Sequence, residues 1–128
     1  MVAASLKEVL KMNGYKQTLG AKGERLALQF LRRRGYRIIA RNFSCRFGEI
    51  DIIARQGKST VFVEVKTRSS CGFGLPEESV RQDKIKHLLR SAQFYIKNYT
   101  DPEGNFRFDV VSIILGDTSR INLIKNAF

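Results

Sequence analysis

Thiol and imidazole chemistry have little to draw on in this chain. Its 128 residues include two cysteines and a single histidine. Cys45 and Cys71 stand outside any CxxC pattern and far from the histidine. They read as reduced thiols, a bridge between them being the alternative. His87 has no acid or metal partner nearby in sequence and reads as a surface residue. No apolar run approaches the ~18 residues of a membrane span. Lys7 and Glu8 interrupt the N-terminal stretch before a signal-type apolar core can form. A cytoplasmic location without a membrane partner is therefore expected. Repeats, low-complexity tracts and interdomain linkers are also absent, so one domain is expected. With 43% hydrophobic residues, folding should bury roughly two-thirds of the unfolded surface, which excludes a disordered tail or a disulfide-dependent mini-protein.

Acids are the scarce charge. Twelve Asp and Glu face twenty-three Lys and Arg, leaving +11. The excess is concentrated early: residues 1–48 carry +9 and residues 49–128 only +2. Such a balance favours polyanionic partners, nucleic acid above all. Arg32-Arg33-Arg34 suits either a solvated helix face or a phosphate-contacting surface whose binding weakens with salt.

Residues 1–17 read as an arm, with a short helix around Leu6 to Met12, and residues 18–128 as the folded domain. A helix is predicted from Thr18, with Leu26, Ala27, Phe30 and Leu31 on its apolar face and Gly35 as its stop. Strands follow at Tyr36 to Phe43, with Ile38 and Ile39 in the middle, then at Glu49 to Arg55 and Thr60 to Thr67. Residues 68–76 form a loop. A second helix spans Glu77 to Tyr99, its stripe made of Ile85, Leu88, Leu89, Ala92, Ile96 and Tyr99. Asp101-Pro102-Glu103-Gly104 ends it. Phe106 to Leu115 is a fourth strand and Ile121 to Ile124 a fifth. The order αβββαβ, with an extra strand, predicts an α/β domain whose central mixed sheet is flanked by helices.

Chemistry concentrates in Gly48-Glu49-Ile50-Asp51 and Phe62-Val63-Glu64-Val65-Lys66. Alternation puts Glu49 and Asp51 on one face, and Glu64 and Lys66 on one face. A two-residue turn at Gly57-Lys58, with glycine supplying a positive φ, would set Asp51 opposite Glu64 and Glu49 opposite Lys66. Three carboxylates and one ammonium would then converge. A one-residue slip would scatter them. Strands flanked by Val and Ile belong to the sheet interior, where unpaired charge is costly. A divalent cation would relieve the repulsion, and hard oxygen donors suit Mg²⁺ or Mn²⁺ better than zinc. An exposed hairpin face with a Glu–Lys cross-strand pair is the plainer alternative.

These residues resemble the PD-(D/E)-x-K nuclease motif, and the element order resembles the restriction-endonuclease-like core of that superfamily. More closely, the chain resembles the YraN-like family of bacterial proteins across residues 18–128. The matching pieces are Gly20-Ala21-Lys22-Gly23-Glu24, Gly35-Tyr36, Arg41-Asn42, Gly48-Glu49-Ile50-Asp51, Phe62-Val63-Glu64-Val65-Lys66-Thr67-Arg68, Phe73-Gly74, Arg107-Phe108-Asp109-Val110-Val111 and Asn126-Ala127-Phe128. Archaeal Holliday-junction resolvases are similar more distantly. The resemblance implies that Asp51 and Glu64 are metal ligands. It implies that Lys66 orients or activates the attacking water, or stabilises the phosphorane charge. Glu24, from the first helix, is implied as a further ligand or an outer acid; a helix-surface role suits it equally. The motif's Pro-Asp is Ile50-Asp51 here, with an added Glu49 as either a further ligand or a partner for Lys66.

The expected activity is metal-dependent hydrolysis of DNA phosphodiesters, with branched or structured DNA among the substrates. Asp51, Glu64 and Lys66 are the expected catalytic residues. Metal binding falls to Asp51, Glu64, Glu24 and Glu49, and nucleic-acid contacts to Arg68, Arg32, Arg33, Arg34, Lys84 and Arg41. The rival is a non-catalytic adaptor for DNA or RNA that keeps the fold. A homodimer is expected by analogy alone. Arg81, Lys84, Lys86 and Arg90 read as a solvated helix face. Arg107 and Asp109 are expected to pair internally, and Phe43, Phe47 and Phe73 to pack rather than stack on bases.

Overall fold

Five strands form one sheet, and two helices cover its two faces with their apolar stripes. The computed structural model describes residues 15–69 and 82–128, the side chains of 15–18 aside. The elements are α1 (Tyr15–Arg33), β1 (Arg37–Cys45), β2 (Gly48–Gln56), β3 (Ser59–Ser69), α2 (Gln82–Tyr99), β4 (Asn105–Leu115) and β5 (Arg120–Ile124). The predicted α/β class and αβββαβ order hold, with the additional strand in place, and the arrangement is consistent with a restriction-endonuclease-like core. The N-terminal helix predicted around Leu6, the start of the second helix at Glu77, and Cys71, Phe73 and Arg81 lie outside the described residues. Among the described residues no helix is long and apolar enough to cross a membrane.

Helix α1 begins three residues before the expected Thr18. It ends as its sequence demands. Gly35 takes φ +86°, while the Tyr36 N–H donates to the Leu31 carbonyl at 3.0 Å and the Gly35 N–H to that of Arg32 at 3.1 Å, a paired closure that needs a left-handed residue. Arg32 and Arg33 in the last turn also offset the negative end of the helix dipole.

The sheet runs β1-β2-β3-β4-β5. Its β1–β2, β2–β3 and β4–β5 pairs are antiparallel, and β3–β4 is parallel. Helix α2 makes the crossover that a parallel pair requires. On one face Ala27, Leu28 and Leu31 of α1 pack on Ile52, Ala54, Val61, Val63, Val111 and Ile113. On the other, Leu88, Ala92 and Tyr95 of α2 pack on Ile50, Ile53 and Phe62. The alternation of Val61, Phe62 and Val63 between these two cores is the period-2 geometry of a strand buried on both faces.

Two details of the predicted patterning shift. Leu89 and Tyr99 lie on the outer flank of α2, 40% and 63% exposed. The buried stripe runs instead through Leu88, Ser91, Ala92 and Tyr95. Ile39, expected in the middle of its strand, is 43% exposed. A register shift between Ile38 and Ala40 breaks the alternation there.

Arg107 and Asp109 pair as expected, Nε to Oδ1 at 3.0 Å. The fully buried Asp109 also accepts from the Tyr36 hydroxyl at 2.7 Å and from the Asn126 N–H at 3.0 Å. Arg107 reaches on to Gln56. This network ties the turn after α1 to the C-terminal segment. Burial, then the Asp109 carboxylate, pushes the Tyr36 hydroxyl up to about 12.

Candidate active site

The hairpin register decides whether the acids meet. Gly57 adopts φ +59°, and β2–β3 partners run from Gln56↔Ser59 to Ile52↔Val63. This is the register the two-residue turn predicted, although its pairs stop one short of Asp51 and Glu64. Beyond Ile52↔Val63 no further β2–β3 partners follow, and the Asp51 side chain takes over. Its Oδ2 accepts the Val65 N–H at 2.8 Å. That bond locks the carboxylate beside β3.

Glu64 is buried, 5% exposed, and holds two ammonium groups. Lys84 Nζ of α2 lies 2.6 Å from its Oε1, and Lys66 Nζ lies 3.6 Å from the same oxygen. The electrostatics diverge across the cluster. Burial, then the Glu64 charge, raises Asp51 from 3.8 to about 7, against the Val65 hydrogen bond and Lys84; Glu24 adds to the rise. Burial and the Lys84 ammonium lower Lys66, overcoming the pull of Glu64. Lys84 is raised: burial opposes its charge, but hydrogen bonds to Glu64 and Lys66 outweigh it. One lysine is thus kept cationic while its neighbour is eased toward the free amine. A split of this kind between adjacent groups is how one site supplies both acid and base.

Glu24 joins from α1. It lines the same cleft of about 360 Å³ as Asp51, Glu64, Lys66, Arg68 and Lys84. Its Oε1 is buried without a hydrogen-bond partner, although Arg41 Nη2 stands 3.7 Å away. Close packing puts it there. A Cβ on the adjoining Gly23 would fall 2.0 Å from Thr67 Oγ1, so only glycine lets α1 sit this near to β3.

Several expected residues are placed otherwise. Glu49 is exposed, and its cross-strand partner is Ser44 of β1. The ion pair of Lys66 goes to Glu64, not to Glu49. Glu49 instead lines an adjoining cleft of about 590 Å³ that also meets Asp51 and Glu64. The convergence of three carboxylates is therefore corrected: among the described residues no three His, Cys, Asp or Glu side chains gather to hold one ion. The cause is the parting of β2 from β3 before Glu49 could face Lys66. Arg32, Arg33 and Arg34 are exposed at the far end of α1. Arg32 lies roughly 12 Å along the helix from Glu24 at 1.5 Å per residue, and Arg34 stacks over Phe30, 4.4 Å from its centroid. Arg68 and Lys84 border the site, and Arg41 reaches it through Glu24. His87 is exposed, as expected, yet lines the wall of the larger cleft. Cys45 is a free thiol.

The donor set suits a hard divalent ion that keeps much of its water. Asp51 and Glu64 repel each other across the parted strands, and the Glu24 oxygen lies nearby without a donor. Mg²⁺ is commonly held by one or two carboxylates together with water and substrate phosphate. Two close acids and a third at the rim meet that requirement; a preassembled cage does not form.

Taken together, the fold defines an α/β domain with acids and a Glu-x-Lys strand at the parted end of an antiparallel hairpin. Residues 23–113 match the family model described as "Uncharacterised protein family UPF0102". A UPF0102 protein of Caldicellulosiruptor saccharolyticus is 46% identical over 116 residues, covering 88% of this chain and 98% of that one. One from Nocardia farcinica is 48% identical over 122 residues, covering 94% and 96%. One from Geobacter sulfurreducens is 45% identical over 116 residues, covering 89% and 91%. The chain belongs to the UPF0102 family, the YraN-like family that its motifs resemble.

Proposed function

We propose that the protein is a divalent-metal-dependent nuclease that hydrolyses phosphodiester bonds in DNA, structured DNA included. The observation that carries this reading is the arrangement of Asp51, Glu64 and Lys66. Two mutually repelling acids and one lysine of lowered proton affinity share the end of a hairpin, in a cleft that Lys84 and Arg68 also line. Asp51 and Glu64 would hold the ion, with Glu24 and Glu49 bordering it through water. Bound there, Mg²⁺ or Mn²⁺ supplies Lewis-acid polarisation of the phosphate and acidification of a water.

The chain's own groups do the rest. Val65 N–H keeps the Asp51 carboxylate oriented. Lys66, whose hold on its proton is weakened by burial and the Lys84 ammonium, hydrogen-bonds the attacking water into line or, as the free amine, accepts its proton. Lys84 remains cationic and balances the charge of Glu64. Arg68 lines the cleft and Arg41 reaches it through Glu24, where guanidinium groups can hold neighbouring phosphates. Burial of Glu64 keeps these interactions strong by limiting solvent screening.

The test is a cleavage panel on linear, nicked, flapped and four-way-junction DNA with Mg²⁺ or Mn²⁺. Asp51→Asn, Glu64→Gln and Lys66→Ala should abolish cutting, and the first two should leave DNA binding intact or tighter. Equal cutting by the wild type and all three variants refutes the assignment. An uncut panel, with no heat of Mg²⁺ binding by calorimetry, identifies instead an adaptor that binds nucleic acid without turnover.

A further inference from the structure

A second surface adjoins the cleft, and among the described residues no acid lines it. The β1–β2 turn consists of Arg46 and Phe47 alone, because Cys45 pairs with Gly48 across it. This tight turn leans the Phe47 ring toward α2, where it meets Phe94 at 6.3 Å between centroids and 62° between planes. Arg46 lies over the Phe47 ring, 4.7 Å from its centroid. Residues 90, 93, 94 and 97 share one face of α2 by helical spacing. Together they form a groove of about 460 Å³ with Arg46, Arg90 and Lys97 around Phe47 and Phe94, and Gln93 at its side. Among the described residues, no Asp or Glu lines it. Arg46 and Phe47 also line the cleft that contains Asp51 and Glu64, so the turn borders both depressions.

Three cations that line the groove with no acid among the described residues repel one another and call for a polyanionic occupant. Two partly buried aromatic rings add a hydrophobic face that a phosphate chain alone does not use. Nucleic-acid bases use both, by stacking on rings while phosphates meet the surrounding cations. Regular duplex hides its base faces within its own stack. We infer that the Arg46–Phe47 turn and the 90–97 face of α2 form a stacking subsite for an unpaired nucleotide next to the scissile phosphate, so that junctions between duplex and single strand are the preferred substrate class. The choice of nucleic acid over other polyanions rests on the nuclease reading; the groove itself does not.

The experiment measures binding of the full-length protein by fluorescence anisotropy in EDTA, so that cleavage plays no part. The probes are a blunt DNA duplex, the same duplex with a single-stranded DNA tail, and that tailed duplex with abasic tail residues. A ribonucleotide tail distinguishes an RNA source from a DNA one. The intact tail should strengthen binding about tenfold, the magnitude of a base stacked on an aromatic ring, and the abasic tail should not. Phe47→Leu should remove the gain on the tailed duplex while leaving blunt-duplex affinity within about twofold. Arg90→Ala, a change at an exposed side chain, should weaken tailed binding and shallow its salt dependence. An abasic tail that binds as tightly as the intact one overturns the inference. So does Phe47→Leu weakening blunt and tailed probes by one factor. Retained tail preference in a protein that never cuts DNA sinks only the nuclease reading, whereas metal-dependent cutting without tail preference sinks only the subsite.

Discussion

Replacing Asp51 with asparagine should make the protein more stable, although it removes a residue assigned to the reaction. Asp51 ionises near 7 in the fold rather than at 3.8, because burial and the Glu64 carboxylate both disfavour its charge. An acid whose folded value is raised contributes stability that is fully present below its unfolded value. That contribution is lost as pH rises through the folded value. The wild type should therefore weaken steadily from about pH 4 to about pH 7 and then level off. A shift of about three units corresponds to at most about 4 kcal/mol, of which roughly 3 kcal/mol falls between pH 5 and pH 8. The substituted amide keeps an oxygen for the Val65 N–H but has no charge to bury, so the variant should lack this slope. Urea denaturation of both proteins at several pH values measures the effect. Mg²⁺ should restore stability to the wild type at about pH 8 and leave Asp51→Asn unmoved, since mass action stabilises only the form that binds. A variant less stable than the wild type at about pH 8, or one with the same slope, refutes the claim that Asp51 is strained by its neighbours.

Three further outcomes follow from the packing around the site. Gly23→Ala should lower stability by roughly 1–3 kcal/mol through overpacking and reduce cleavage by displacing Glu24. The double variant with Thr67→Ala should recover only part of the loss, because Thr67 Cβ itself would lie 2.9 Å from the new methyl; full recovery in thermal denaturation counts against the close α1–β3 approach. Lys84→Ala removes the ammonium that helps hold Lys66 down, so Lys66 should rise and the ascending limb of the pH–rate profile should move to higher pH; an unmoved ascending limb excludes Lys66 as the proton acceptor. Tyr36→Phe strips a donor from buried Asp109 and should cost about 1–3 kcal/mol in chemical denaturation, with cleavage per folded molecule unchanged, since that network lies away from the acids. It should also flatten the fall in stability expected as pH rises from about 10 toward about 12, the range through which Tyr36 ionises first in the unfolded chain.

Much of this geometry is legible from local rules. Gly35 marked the end of α1 because only a left-handed residue closes that helix with Tyr36 and Leu31 (φ +86°). Gly57-Lys58 set the hairpin register for a similar reason, and that register runs to Ile52↔Val63, one pair short of Asp51 and Glu64. The Arg107–Asp109 pair followed from alternation, since both lie on one face of β4. The outcome for Glu49 was hidden. Its placement depends on β2 parting from β3 after Ile52↔Val63, and no residue type announces that. The Arg46–Phe47 turn was equally opaque, because ordinary residues filled a hairpin loop whose length only strand pairing determined. Tyr36 joins Asp109 across 73 positions, beyond the reach of any periodicity.

By itself, the order of residues determined which segments become helix or strand and most of the residues that turn inward, because those depend on spacing along one backbone. Tertiary structure decided that Lys84 joins Lys66 on Glu64 while Glu49 pairs with neither, that Glu24 arrives through the gap left by Gly23, and that Phe47 leans on Phe94. Each depends on the distance between elements remote in the chain, and that distance is set by how two cores pack on opposite faces of the sheet.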